Sequence, residues 1–344
     1  VLVKKTRIPV LHIVTIGFLP SFLKKFVYRM KGYKIANDVS LSLGCVVIGK
    51  EVEIGKKSSI GFFTIIRARK IKIGRFVKIG AMSAIDTESF SIDDDARINE
   101  QVYIGGTKTP QSALTMGKRT IIMQASYINP TMPITIGDDS GIGGHCLLFT
   151  HGSWNSILEG YPVKFAPIHI GKKVWLPWRV FVMPGVSIGD GVVAGADSML
   201  NKDIPANCLV AGSPAKIIKE NIPQPLAEED KKEILDDIFK EFVQHLNHNE
   251  FVTEQKVIAD GFELDIKSKS KHAAVVFCET EKDATIISKA TDNILILNKG
   301  TAKQATGFAM VISLDKNERI GTSDVGEEFV QFISRYGVRF NRLD

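Results

Sequence analysis

An aliphatic residue followed by a small or polar one returns every six positions along much of this chain. The first series is Ile48-Gly49, Ile54-Gly55, Ile60-Gly61 and Ile66-Arg67. After a one-residue slip the period resumes through Ile73-Gly74, Ile79-Gly80 and Ile85-Asp86, then Ile92-Asp93, Ile98-Asn99 and Ile104-Gly105. Met116-Gly117, Ile122 and Ile128-Asn129 continue it, followed by Ile136-Gly137, Ile142-Gly143 and Leu148. After an interruption come Ile170-Gly171, Leu176-Pro177, Val182-Met183, Ile188-Gly189, Ala194-Gly195 and Leu200-Asn201. Six residues of extended chain span about 20 Å, so the period is not helical, and it is too regular for unrelated hairpins. It is one side of a repeating coil. Three such sides close a triangular turn in which the aliphatic residue points inward and the small residue after it lets the chain bend. Stacked coils then satisfy one another's backbone at the strand spacing, giving a parallel β-helix. A sandwich of short strands would need two-residue alternation and turn signals every eight to twelve residues, which the period of six replaces.

A solenoid projects extra residues from a corner as loops, so breaks in the period mark candidate sites. The largest lies between Leu148 and Ile170 and carries His151 and Trp154. A second, Gly105 to Ser112 with Thr107, Lys108 and Thr109, is a further wall for a pocket. Before the repeat, Ser21 to Lys31 sets Phe22, Leu23, Phe26, Val27 and Met30 among Lys24, Lys25, Arg29 and Lys31. This reads as a basic amphipathic helix, with a cap packed on the end of the solenoid preferred to a membrane-surface anchor. Val10 to Leu19 is too short an apolar run to span a bilayer and lacks a secretory cleavage site.

After Pro223-Gln-Pro225 the pattern changes. Ile234, Leu235, Ile238, Phe239, Phe242, Val243 and Leu246 predict an amphipathic helix over Ala227 to Leu246. Strands are expected at Lys256 to Ile266, Ala273 to Cys278, Asn293 to Leu297 and Ala309 to Leu314, with helices near Lys282 to Lys289 and Gly326 to Tyr336. The expected fold is mainly β, with an N-terminal helical cap (1–34), a β-helix (35–222) and a small C-terminal α+β domain (223–344) that carries no phosphate loop, metal cluster or nucleophile elbow.

Composition changes this picture little. With 44 Lys and Arg against 38 Asp and Glu the net charge is +6 over 344 residues, which suits an anionic ligand without demanding nucleic acid. Four scattered cysteines, Cys45, Cys146, Cys208 and Cys278, form no CxxC pair and no disulfide framework, which fits a reducing cytoplasm.

Four segments stand in order along the last part of the repeat: Ile168 to Trp175 (IHIGKKVW), Met183 to Asp190 (MPGVSIGD), Asn201 to Pro205 (NKDIP) and Ala211 to Lys216 (AGSPAK). In these the chain resembles the hexapeptide-repeat acyltransferases of the left-handed β-helix superfamily, most of all sugar O-acetyltransferases of the galactoside and maltose type. The resemblance covers residues 35 to 220 and implies the left hand of the coil, acetyl-coenzyme A as co-substrate, no metal, and a homotrimer with its sites between subunits. The family's catalytic histidine stands in an extruded loop sixteen residues before the proline that opens the next coil, as His151 stands before Pro167. Histidine suits the task because its ordinary pKa lies near neutrality, so it can take a proton from an acceptor hydroxyl or amine. Asn129, in Tyr127-Ile128-Asn129-Pro130, matches a position that helps hold the base or the acceptor. By the same resemblance the coenzyme falls on Trp178, Gly195 and Ala196, and its nucleotide and phosphates on Asn201, Lys202, Lys216 and Lys219. Trp178 stands where family members often carry a small residue, so it either stacks on the ligand or packs on a neighbouring subunit. Trp154 is either an apolar platform for a sugar ring or a packing anchor of its loop. Glu159 and Lys164 are further acceptor-binding candidates, and His145, within the regular repeat, reads as structural.

The implied function is acetyl transfer to a sugar-type acceptor, by default in surface-polysaccharide synthesis, in the cytoplasm or at the inner face of its membrane. Two rivals use the same solenoid: a zinc-dependent γ-type carbonic anhydrase, which needs three converging histidines such as His145, His151 and His169, and a non-catalytic scaffold displaying the C-terminal domain.

Overall fold

The computed structural model describes residues 9–152, 154–258, 261–268, 271–281, 290–303 and 305–343. The chain divides into two compact units, Val1–Gln224 and Pro225–Asp344.

In the first unit, three stacks of short strands form the faces of a prism, each strand pairing in parallel with the one a full coil later. The first face runs from Lys34–Ile35 through Ile134–Ile136 and Ile168–Ile170 to Ser187–Ile188. The second runs from Ser40–Leu41 to Leu209–Ala211, closed by the antiparallel strand Lys216–Lys219. The third runs from Val46–Ile48 to Met199–Leu200. The six-residue period becomes three vertical ladders. Ile54, Ile73, Ile92, Met116, Ile136, Ile170 and Ile188 stand in register on the first face. Ile66, Ile85, Ile104, Ile128, Leu148, Val182 and Leu200 do so on the third. All are buried and belong to one apolar cluster, so each coil covers the next and no isolated coil has a core of its own.

The repeat misplaces its first rung. Val47, not Ile48, pairs with Ile66 and is buried, while Ile48 is only half-buried. The first coils repeat every nineteen residues, as in Ile54 to Ile73 to Ile92, because the corner from the third face to the first takes one residue more than the other two. Counting strict sixes back from Ile54 therefore lands one residue late.

The helix Ser21–Met30 forms as expected and packs on the start of the prism, but with the opposite face inward. Lys24 and Tyr28 are its buried residues, at 0% and 1% exposure, whereas Phe22, Phe26 and Met30 are 66%, 62% and 74% exposed. Lys24 Nζ donates to the carbonyls of Ser42 and Cys45, and the Tyr28 hydroxyl accepts from Val47 N at 2.9 Å. The open end of a solenoid presents unpaired backbone, so it is capped by hydrogen-bonding side chains; apolar ones would leave those carbonyls unsatisfied. Burial lowers the Lys24 pKa and raises those of Tyr28 and Cys45.

The second unit is a seven-stranded sheet in chain order from Val252–Ile258 to Asn341–Arg342, with the helices Glu228–His248 and Asp324–Ile333 in the larger of its two apolar clusters. The single strand expected over Lys256 to Ile266 is two, Val252–Ile258 and Gly261–Lys267, paired antiparallel. The middle of Val252–Ile258, Thr253 to Lys256, is polar throughout, because this is an edge strand whose outer side needs no apolar cover. The helix expected near Lys282 to Lys289 lies outside the described residues.

All four cysteines are buried free thiols, and burial pushes Cys146 up to about 11. Thiolate is the reactive form, so the folded protein at pH 8 should react with a disulfide reagent at least about a hundredfold more slowly than a free thiol, all four thiols becoming reactive in denaturant. A fast-reacting equivalent in the folded protein would contradict this burial.

Candidate active site

The corner from the third face to the first is where the chain departs from the regular coil. Both long excursions leave from it, one between Ile104 and Met116 and the other between Leu148 and Ile170. With the outward residues of the third face they enclose a cavity of about 850 Å³, lined by His151 and Asn129, by Thr107 and Lys108 of the shorter excursion, and by Arg67, Asp86, Tyr103 and Tyr127. His151 and Asn129, predicted together, are thus brought together, and the shorter excursion does form a wall.

His151 is placed by the residue before it. Thr150 is fully buried; its hydroxyl donates to the Asn129 carbonyl at 2.7 Å and accepts from Met132 N at 2.9 Å. The next step, His151–Gly152, pairs antiparallel with Lys164–Phe165, and the imidazole stacks on Phe165 with ring centres 5.5 Å apart and planes 14° from parallel. Its Nδ1 is buried and finds no hydrogen-bond partner among the described residues. Leaving such a group unmet costs about 1–3 kcal/mol. Asn129 does not bond the imidazole. Its amide oxygen accepts from Thr131 Oγ1 at 2.8 Å, so Asn129 is tied to His151 only through Thr150, and it faces the cavity.

Gly106 completes this corner. A Cβ there would lie 2.1 Å from Asn129 Oδ1, so only glycine lets the shorter excursion pass so close to that amide. Arg67 and Asp86 form a two-pronged ion pair, with Nε to Oδ1 at 3.1 Å, and Lys108 Nζ lies 3.8 Å from both Asp86 and Glu88. Tyr103 and Tyr127 stand one coil apart with ring centres separated by 4.9 Å, and Phe149 and Phe181 continue the aromatic column. Sequence reasoning missed Gly106, Arg67, Asp86 and the tyrosines. Their signal was available: Arg67 and Asp86 follow successive rungs of one ladder, and Tyr103 and Tyr127 precede them.

No family model matches the chain. Among curated proteins it is 33% identical over 126 residues to the putative colanic acid biosynthesis acetyltransferase WcaF of Escherichia coli, covering 31% of this chain and 69% of that protein. The chain belongs to the hexapeptide-repeat acetyltransferases. It is also 25% identical over 210 residues to the probable acetyltransferase Rv3034c of Mycobacterium tuberculosis, covering 59% of each. Among solved structures it resembles the polysialic-acid-specific acetyltransferase NeuO at 23% identity, covering 57% of this chain and 90% of that one, with a TM-score of 0.37.

Within one copy of this acetyltransferase the coenzyme candidates fall in three places. Trp178, Gly195 and Ala196 share the corner where the second face turns into the third, at the opposite edge of the third face from His151. Asp197 N donates to the Trp178 carbonyl at 3.0 Å, linking the two turns. The Trp178 ring lies over Gly144, where a Cβ would meet it at 2.4 Å, and beside His145 at 5.7 Å, so His145 is a corner residue under a tryptophan. Asn201 and Lys202 follow Met199–Leu200 on the same corner as His151, and Lys216 and Lys219 bound the closing strand of the second face. Trp154 is 98% exposed, so within one copy it does not anchor its loop, and Glu159 and Lys164 are exposed on the same excursion. His169, on the first face, bonds Thr135 Oγ1 at 3.0 Å through Nδ1, and His145, His151 and His169 occupy three separate positions around the prism. Among the described residues no group of three or more His, Cys, Asp or Glu is placed to hold a metal.

Proposed function

We propose that this acetyltransferase moves the acetyl group of acetyl-coenzyme A to a hydroxyl of a glycan-type acceptor in surface-polysaccharide synthesis, with His151 as general base. The observation that carries this reading is the half-buried imidazole facing a polar cavity, held by Thr150 and Phe165, with one buried nitrogen unpartnered. A buried histidine nitrogen without a protein partner calls for an explanation, and a catalytic role is one of those that fit. The acceptor oxygen attacks the thioester carbonyl carbon while its proton passes to the imidazole. The carbon–sulfur bond then breaks, and the imidazolium returns the proton to the departing thiolate.

The lining suits a polyol. Arg67, Asp86, Lys108 and Asn129 offer donors and acceptors for hydroxyls, and Tyr103 and Tyr127 offer ring faces. WcaF, covered over 69% of its length, is named for colanic acid biosynthesis. The coenzyme is read onto Trp178, Gly195 and Ala196 at one edge of the third face and His151 at the other, an arrangement that works across two copies when one copy's edge meets the next copy's opposite edge. A homotrimer does this three times with one interface. Asn201, Lys202, Lys216 and Lys219 then offer point charges to the nucleotide and phosphates. The four free thiols suit a reducing cytoplasm, where this reading places the reaction.

The test is to incubate the protein with labelled acetyl-coenzyme A and a panel of sugar nucleotides, lipid-linked sugars and glycans, and to identify products by mass. One added acetyl group on a sugar hydroxyl is expected. Coenzyme A release with no acetylated sugar in any class would sink the acceptor assignment.

A further inference from the structure

The charge of this chain is not evenly spread. Lys4, Lys5, Arg7, Lys24, Lys25, Arg29, Lys31 and Lys34 precede the first acidic residue, Asp38. Without these eight, 36 Lys and Arg face 38 Asp and Glu, so the whole positive excess resides in the N-terminal segment. On the prism, several arginines pair with carboxylates: Arg67 with Asp86, Arg75 with Asp94, Arg119 with Asp139, Arg179 with Asp197. In the N-terminal segment, among the described residues, no cation does. Lys25 and Arg29 donate to the carbonyls of Asn37 and Ile35, and Arg29 also to the Asn37 amide; these neutral partners leave both charges uncompensated.

The same segment displays its apolar side chains. Val14, Phe18, Phe22, Phe26 and Met30 follow at four-residue steps and are all exposed, as are Val10 and Leu11. The inward face of Ser21–Met30 is held by Lys24 and Tyr28, so turning the apolar stripe inward would break the capping bonds to Ser42, Cys45 and Val47. The stripe is locked outward. The helical stretch Val10–Gly17 and the helix Ser21–Met30 meet at 117°, and neither is long enough to cross a bilayer.

We propose that this segment is an interfacial anchor that lays Phe18, Phe22, Phe26 and Met30 into an anionic lipid bilayer, with Lys25, Arg29, Lys31 and Lys34 at headgroup level. Charge selects the occupant. A second copy bringing the same segment would meet like charge and uncovered aromatic rings, whereas anionic lipid answers both features at once. The segment is outside the catalytic cavity, so the inference stands whether or not the acetyl-transfer reading holds.

The test is co-sedimentation of the full 344-residue chain with vesicles of phosphatidylcholine alone and with phosphatidylserine added. Each cation at an anionic surface strengthens binding by about fivefold, so binding to the anionic vesicles should be at least about tenfold tighter and should weaken as salt is raised. The double variant Phe22→Glu/Phe26→Glu alters only exposed positions; it should keep the wild-type melting temperature and lose at least about tenfold in vesicle binding. Lys31→Glu/Lys34→Glu should remove the preference for anionic lipid. Wild-type protein that stays in the supernatant with both vesicle types would overturn the proposal, as would unchanged binding by the Phe22/Phe26 variant. Loss of oligomer mass in that variant, with no vesicle binding by the wild type, would assign the stripe to a second copy instead.

Discussion

His151→Ala protein should transfer acetyl groups about 10²–10⁴-fold more slowly than wild type, with its melting temperature and coenzyme A affinity little changed. The argument is local. His151 begins an excursion outside the three inward ladders, and its ring packs on Phe165 rather than in the prism, so truncation leaves every rung in place. On the proposed mechanism, what is lost is the group that takes the acceptor's proton, which lowers turnover rather than coenzyme affinity. Steady-state kinetics with acetyl-coenzyme A and the acceptor found by mass, beside a thermal melt and a coenzyme binding isotherm, separates these quantities. Activity within about threefold of wild type would remove the imidazole from the chemistry, since general-base groups contribute far more than that.

Replacing Gly106 with alanine should lower turnover by about 10²-fold, the scale of a displacement of about 1 Å in a catalytic constellation. The added methyl would meet Asn129 Oδ1 at 2.1 Å, and that amide is buried and already bound to Thr131. Either the amide moves, taking with it the strand end that holds Thr150, or the excursion carrying Thr107 and Lys108 is pushed off the cavity. A double-mutant cycle identifies the cause. If the clash is with the Asn129 side chain, Gly106→Ala adds little to Asn129→Ala, because the atom it strikes is gone. Fully additive losses would place the effect of Gly106 elsewhere.

Ile54, Ile60 and Ile66 announce three sides of a coil by their spacing alone, because a solenoid buries its core with residues close in sequence and must repeat them to keep stacking. The excursion carrying His151 was legible for the same reason: a strict period makes its own interruptions visible. The polarity of the helix Ser21–Met30 was not. Its pattern of Phe22, Phe26 and Met30 says which residues share a face, and only the exposed backbone of the first coil, with the carbonyls of Ser42 and Cys45 to satisfy, determined that Lys24 and Tyr28 should turn inward. The cavity likewise needed three dimensions. Arg67, Asp86, Gly106 and His151 are scattered over more than eighty positions, and they meet because successive coils stack residues about nineteen apart while both excursions leave from one corner. Periodicity along a chain specifies what is repeated; stacking decides which unrepeated residues become neighbours.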